Sequence, residues 1–362
     1  MLVGFKTELK LNNKQRTQLA KHAGVARHAW NWGLGLTKQI LLHNRDNPDD
    51  KIKFPTGIDL HKCLVALVKP ICPWYYEVSK CAPQYALSQL AIAWKRVFKK
   101  TIKPPRFKRK GKHDSFTLDG SIKLDHFRIR VPVIGWLRTY ERLPVYFQPK
   151  SVTISRTADR WFISFKLEYE QVYRPKLHPV VGVDLGLKAL AVLSTGIVVE
   201  GAKAYHKYEK KLSRLQWLNR HKQIGSVNSK RASNKIARLH RQIANIRKDT
   251  LHKLTTYLAQ NHSRIGIENL NVSGMMANHK LAKAIQDMGW YEFKRQLEYK
   301  CQLYGSTLVL VDRWYPSTKT CSQCHTEKDS MPLSERVFRC DNCGFECDRD
   351  LNASLNLEQA AS

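Results

Sequence analysis

Acidic residues are scarce in this chain. Against 62 Lys and Arg there are 30 Asp and Glu, a formal net charge of +32 over 362 residues. That excess is too large for ordinary solubility tuning and implies a polyanionic partner. Long apolar runs are missing too. No uninterrupted stretch could span a bilayer. The opening Met1-Leu2-Val3-Gly4-Phe5-Lys6 has no apolar core of the signal-peptide kind. No long basic amphipathic helix dominates, which leaves a membrane surface the weaker candidate partner. The nine cysteines do not have the look of a disulfide scaffold, so a reducing, cytoplasmic setting is expected. There is no glycine loop built to cradle phosphates and no Ser/His/Asp arrangement. What is present is a 43% hydrophobic fraction, enough for real cores in one large or two to four small domains. Nine Trp and fourteen Tyr stand among the basic residues, and bases stack on aromatic faces.

The stretch Val180-Val181-Gly182-Val183-Asp184-Leu185-Gly186 reads as a short buried strand ending on a carboxylate. Ala189 to Leu193, a turn at Ser194-Thr195-Gly196, and Ile197 to Val199 follow, as two hairpin connections from a central strand. Upstream, residues 3–11 alternate as a strand. Asn12 with Gln15 resembles a capping box. Gly24 is expected to interrupt that helix, with a second one from Val25. Leu60 to Val68 reads as a helix closed by Pro70. Pro83 suits the first turn of another, which is expected to bury Leu87, Leu90, Ala91, Trp94 and Phe98. Residues 12–99 therefore read as an all-helical unit.

A basic run then carries Lys99, Lys100, Arg106, Phe107, Lys108 and Arg109. The aromatic inside it favours a nucleic-acid-contacting edge over a solvated linker. Strands are expected at Phe127–Val131, Val145–Gln148, Ser151–Ser155 and Trp161–Glu168, as a small antiparallel barrel or sandwich joined by the first strand. After residue 200 comes a helical hairpin. One arm carries Tyr205, Tyr208, Leu212, Leu215 and Leu218, the other Ile236, Leu239, Ile243, Ile246, Leu251, Leu254 and Leu258. That stripe is core. The other faces are basic, and Arg238, Arg241 and Arg247 are candidates for a phosphate track. Arg264 to Leu270 is a strand ending near Glu268, residues 280–304 a helix, and Ser306 to Asp312 a further buried strand.

Two constellations carry chemistry. Cys321-Ser322-Gln323-Cys324 and Cys340-Asp341-Asn342-Cys343 are two thiolate knuckles that can converge on one tetrahedral zinc ion. Four sulfurs leave no open position, so the zinc is structural. Cys347 and His325 are spares, and Cys63, Cys72, Cys81 and Cys301 are packing residues. The second constellation is acidic. Asp184 and Glu268 each end a strand, and Asp350 opens a helix. An acid in a helix's first turn can simply favour the helix dipole. If the three meet, they need cations, and two Mg²⁺ ions would clamp a phosphodiester between them.

Gly182-Val183-Asp184-Leu185-Gly186, Gly266-Ile267-Glu268-Asn269-Leu270, Tyr315-Pro316-Ser317-Thr318-Lys319-Thr320-Cys321 leading into the four-cysteine ribbon, and Asp348-Arg349-Asp350-Leu351-Asn352-Ala353 resemble the TnpB (OrfB) proteins of insertion sequences, relatives of the type V CRISPR effectors. The resemblance implies an α/β RuvC-like, ribonuclease H-type nuclease domain at 179–312 and 345–362, with the helical hairpin at 202–260 and an inserted zinc ribbon at 313–344. It implies a wedge-like β-barrel at 1–11 and 100–178, interrupted by a helical recognition insert at 12–99. It carries the magnesium ligands onto Asp184, Glu268 and Asp350, with Asp348 as the fallback for the third. It implies RNA-guided DNA cleavage, with a guide RNA derived from the element's end, double-stranded target DNA and a displaced single strand as partners. No membrane partner is expected; the sequence does not give the oligomeric state, for which a monomer is the expectation. His325 departs from the family, where glycine usually follows the first knuckle. The rival functions are a nuclease-dead RNA-guided repressor, a transposase performing strand transfer, and a junction resolvase.

Overall fold

Alternating exposure along Leu2–Lys10 makes this segment a strand, β1, with one face on a core. The computed structural model describes residues 2–169, 175–332 and 334–362. The chain divides into two compact units, Leu2–Tyr169 and Glu170–Ser362.

In the first unit, β1 is followed by α1 (Asn13–Asp46), a single helix of 34 residues. Its capping box is formed as expected: Gln15 N donates to Asn12 Oδ1 at 2.8 Å, and Asn12 N to Gln15 Oε1 at 3.1 Å. The expected break at Gly24 does not occur. Glycine costs a helix interior only about 1 kcal/mol against alanine, and α1 buries Leu19, Ala23, Val25, Ala26, Ala29 and Leu34 along one face. Each large aliphatic side chain so buried contributes roughly 1.5–3 kcal/mol, which outweighs one glycine. Next come α2 (Gly57–Cys63), a π turn (Leu64–Val68), a 3-10 turn (Pro73–Glu77) and α3 (Cys81–Phe98). Gly33 lets α3 come close, since a Cβ there would lie 2.6 Å from Leu87 Cδ2. Leu87, Leu90, Ala91 and Trp94 are buried as expected; Phe98, the last residue of α3, is 52% exposed instead.

Six more strands complete this unit: β2 (Ser115–Asp119), β3 (Lys123–Asp125), β4 (Arg128–Val131), β5 (Gly135–Thr139), β6 (Ser151–Thr157) and β7 (Arg160–Glu168). They form one antiparallel sheet in the order β2-β6-β7-β1-β5-β4-β3. β1 joins its halves, pairing with β7 over Leu2–Glu8 and with β5 at Leu9 and Lys10. Val145–Gln148 is not a strand. Pro144 and Pro149 flank it, Phe147 N turns back to Pro144 O, and Tyr146 is 86% exposed.

The second unit is built on a mixed five-stranded sheet, β10-β9-β8-β11-β12. β8 (His178–Asp184), β9 (Ala191–Leu193) and β10 (Val198–Val199) form the antiparallel side. The hairpin of α4 (Ala204–Arg220) and α5 (Val227–Asn261) follows. Leu212, Leu239 and Ile243 are its small core, and Leu218 near the tip is exposed rather than part of the stripe. Then come β11 (His262–Glu268), α6 (Val272–Met275), α7 (His279–Met288), α8 (Trp290–Tyr304) and β12 (Thr307–Val311). The helix expected over 280–304 is two, parted at Gly289, whose φ of +76° caps α7. β11 runs parallel to both β8 and β12. β12 is half-exposed and not buried, because it is the sheet's edge. The two-stranded ribbon β13 (Val337–Arg339) and β14 (Glu346–Asp348) leads into α9 (Arg349–Ala361). Among the described residues no helix is long and apolar enough to cross a membrane.

Candidate metal centres and nucleic-acid surfaces

α9 lies directly on the sheet because two glycines let it. Gly182 of β8 and Gly266 of β11 occupy the same rung of the parallel ladder. A Cβ at Gly182 would fall 1.8 Å from Ser354 O, and one at Gly266 would fall 2.4 Å from Leu357 O. Both clashes are with α9 backbone, so only a residue without a side chain fits at either place. Along the same two strands the register continues to Val183 opposite Ile267. Asp184 and Glu268 therefore end neighbouring parallel strands side by side. This is the edge where open α/β sheets hold their ligands.

Asp350 sits in the first turn of α9. Asp348 is that helix's N-cap: its Oδ1 accepts from Asp350 N at 2.9 Å and Leu351 N at 3.2 Å. The two acids of Asp348-Arg349-Asp350 thus do different work. Burial pushes the Asp184 carboxyl up to about 7; the negative charges of Asp350 and Glu268 add to the rise, and Arg349 opposes it. Asp184 is thus close enough to feel both other acids. Burial also raises Glu268. Arg349, which sequence reasoning passed over, holds Asp350 Oδ1 from Nη2 at 3.0 Å and from Nε at 3.1 Å. One guanidinium against three acids leaves an excess of hard, anionic oxygen donors, a set that suits magnesium. Beside Glu268 opens a cleft of about 410 Å³, lined also by Trp290, Tyr291 and Lys294. Lys294 Nζ donates to Asn269 Oδ1 at 2.9 Å.

The four cysteines converge. Cys321 Sγ and Cys343 Sγ are 3.7 Å apart, and Cys324 Sγ and Cys340 Sγ are 3.5 Å apart. All four sulfurs lie within 4.8 Å of one another. Zinc at about 2.3 Å from each of four tetrahedral sulfurs would set them about 3.8 Å apart, so the donor set fits zinc. Among the described residues these thiols are the only group gathered this tightly; the three carboxylates are more loosely spaced. His325 and Gly344 end the two knuckles in matching turns, with φ of +62° and +73°. The histidine thus holds the glycine-like conformation, with its N–H on Cys321 O at 3.0 Å as Gly344 has on Cys340 O. Two fully buried asparagines tie the ribbon's lead to α9. Asn352 Nδ2 donates to Thr320 O at 2.7 Å, and Asn356 Nδ2 to Ser317 O at 2.8 Å.

The basic run after α3 is strapped onto α1. Trp30 Nε1 donates to Arg106 O at 3.1 Å, and Asn31 exchanges hydrogen bonds with the Lys108 backbone at 2.7 and 3.0 Å. Lys99, Lys100, Arg106, Phe107 and Arg109 are exposed. Lys108 departs from the expected edge: its ammonium lies 4.0 Å over the Trp30 ring, and burial lowers its pKa. On α5, Arg238 is exposed and Arg241 half-buried. Arg247, half-buried, donates to Gln286 O at 2.7 Å, joining α5 to α7.

A family model described as "Probable transposase" (OrfB, IS605) matches residues 164–279. A second, described as "Cas12f1-like, TNB domain", matches residues 290–357. A third, described as "Helix-turn-helix domain", matches residues 1–45, where the structure has a strand and one unbroken helix. An Escherichia coli (strain K12) protein provisionally named RNA-guided DNA endonuclease InsQ is 35% identical over 98% of this chain and 91% of its own. A Streptomyces pristinaespiralis protein provisionally named RNA-guided DNA endonuclease is 38% identical over 78% of this chain and 71% of its own. A solved Cas12f1–sgRNA–target DNA complex covers 99% of both chains at 15% identity and a TM-score of 0.39, too low to add to the topology above. Identity at that level over nearly the whole length, with the OrfB family match over residues 164–279, places this chain in the OrfB (IS605) family of TnpB-like proteins.

Proposed function

We propose that this chain is an RNA-guided DNA endonuclease of a transposable element, cutting DNA phosphodiesters at Asp184, Glu268 and Asp350. One observation carries the reading: Asp184 and Glu268 end neighbouring parallel strands under α9, whose first turn carries Asp350, and burial and both other acids raise the Asp184 carboxyl. The sheet order β10-β9-β8-β11-β12, antiparallel on one side and parallel on the other, supports a ribonuclease H-type, RuvC-like domain. The seven-stranded sheet with helices between β1 and β2 supports the wedge and recognition reading of the first unit. Guide RNA and target DNA account for the charge of +32.

Asp184, Glu268 and Asp350 would hold magnesium, which when bound neutralises the acids and polarises a scissile phosphate. The chain's own residues do the rest. Asp348 is occupied as a helix cap, which favours Asp350 as the third ligand. Arg349 orients Asp350. Tyr291 and Lys294 offer the cleft beside Glu268 an aromatic face and a cation for the strand. The four cysteines would hold structural zinc, and Asn352 and Asn356 would pass the ribbon's rigidity to α9.

The test is guide-directed plasmid cleavage by protein purified with its co-expressed RNA. Asp184→Ala, Glu268→Ala and Asp350→Ala should each abolish cleavage and leave RNA binding near the parent's. Cleavage by Asp350→Ala at the parent rate would refute the site. RNA-dependent DNA binding without cleavage by the parent would favour the repressor reading.

A further inference from the structure

α1 carries a groove that the cleavage chemistry does not use. Lys21, Gly24, His28 and Trp32 follow one another at spacings of three and four, one face of a helix. Trp74, from the 3-10 turn, closes the opposite side. Together they border an open cavity of about 710 Å³ within the first unit, inside the ~300–1,000 Å³ range of small-molecule sites.

The aromatic wall is exposed yet fixed. Trp74 is 38% exposed. It stacks on Tyr75 with ring centroids 4.5 Å apart and meets His28 edge-on at 4.9 Å. His28 and Tyr75 share a hydrogen bond of 2.8 Å, and Tyr75 is fully buried. The floor is Gly24, and the packing does not ask for glycine there. A Cβ would meet only Arg27 Nη2, at 3.8 Å. Alanine would favour the helix more; what glycine provides is room. The rim's cations are already matched, Lys21 by Glu77 and Arg27 by Asp114. A phosphate would therefore gain little in the groove, whereas a flat, uncharged ring fits its walls. The chain's net charge of +32 brings polyanionic strands to its surface.

We propose that this groove takes an unpaired nucleobase of a nucleic-acid strand, stacked on Trp74 and bordered by Trp32 and His28. The site is sequence-tolerant, because every base has a π face. It does not depend on cleavage, so it can fail or hold independently of the nuclease reading.

The full-length chain is titrated, by fluorescence anisotropy, with short labelled single strands of DNA and of RNA, a duplex of equal length, and an abasic single strand. Trp74→Ala should weaken single-strand binding roughly five- to a hundredfold, the range that follows the loss of one base–aromatic stack, with duplex affinity little changed. Gly24→Leu should weaken single-strand binding while keeping or raising the melting temperature, which separates filling the groove from unfolding. The preferred sugar identifies the strand that supplies the base. Parent-like single-strand affinity in both variants, equal losses for duplex and single strand, or undiminished binding of the abasic strand would each overturn the proposal.

Discussion

Replacing Gly182 with alanine tests how the acidic cluster is assembled. The new Cβ would lie 1.8 Å from Ser354 O and 2.4 Å from Glu358 N. These are backbone atoms of α9 and cannot swing aside. Relief requires α9 to move by about 1.6 Å, the difference between 1.8 Å and ordinary contact at 3.4 Å. Overpacking of this kind typically costs about 1–3 kcal/mol, and a clash with two backbone atoms lies toward the upper end. For a unit of this size, about 3 kcal/mol lowers the melting temperature by roughly 6–12 °C. The displaced helix carries Asp350 with it, and a misplacement of about 1 Å can cost around a hundredfold in rate. Cleavage should therefore fall by about that much or more, with RNA binding near the parent's. Gly4→Ala, where a Cβ meets nothing within 4 Å, is the control. Thermal unfolding followed by circular dichroism and a cleavage time course are the assays. If Gly182→Ala melts and cuts like the parent, the glycine rung does not seat α9.

Asp348→Ala should cost about 0.5–2 kcal/mol of stability through the lost cap while cleavage stays within a few-fold of the parent; cleavage lost in Asp348→Ala but kept in Asp350→Ala would reverse their roles. With divalent ions stripped, burial and the neighbouring acids hold the Asp184 carboxyl up at about 7, above the usual 3.8, so the folded state favours the protonated acid. That contribution to stability is full below pH ~4 and is lost as pH rises through about 7. Urea midpoints of the metal-free parent should fall across this window relative to Asp184→Asn; parallel profiles would contradict the assignment. Metal analysis should find one zinc per chain, with a strong chelator or Cys340→Ser lowering the melting temperature; folded protein free of zinc would defeat the ribbon reading.

Local patterns were readable where one segment decides the outcome. The cap at Asn12, the strand ends at Asp184 and Glu268 and the paired cysteine knuckles all depend on neighbours within a few residues. The continuity of α1 was not readable, because whether one glycine breaks a helix depends on what the face around it packs against. β12 has the composition of a buried strand, but its place in the sheet, at the edge, belongs to topology. The pairing of Gly182 with Gly266 joins residues brought together only by parallel register. In sequence each looks like a strand glycine before an acid; in space the two are the floor under α9. The asparagines of α9 were given no role for the same reason, since their partners lie in the ribbon's lead, whose return path the sequence does not give.

α5 passes into β11 with no residue between them: Asn261 ends the helix and His262 begins the strand. Thirty-five helical residues make a lever about 50 Å long, and its handle is the basic tip of the hairpin. A slack connection would absorb a pull on that handle; here there is none. A strand that leaned on the hairpin would therefore load a helix that runs straight into the strand ending in Glu268.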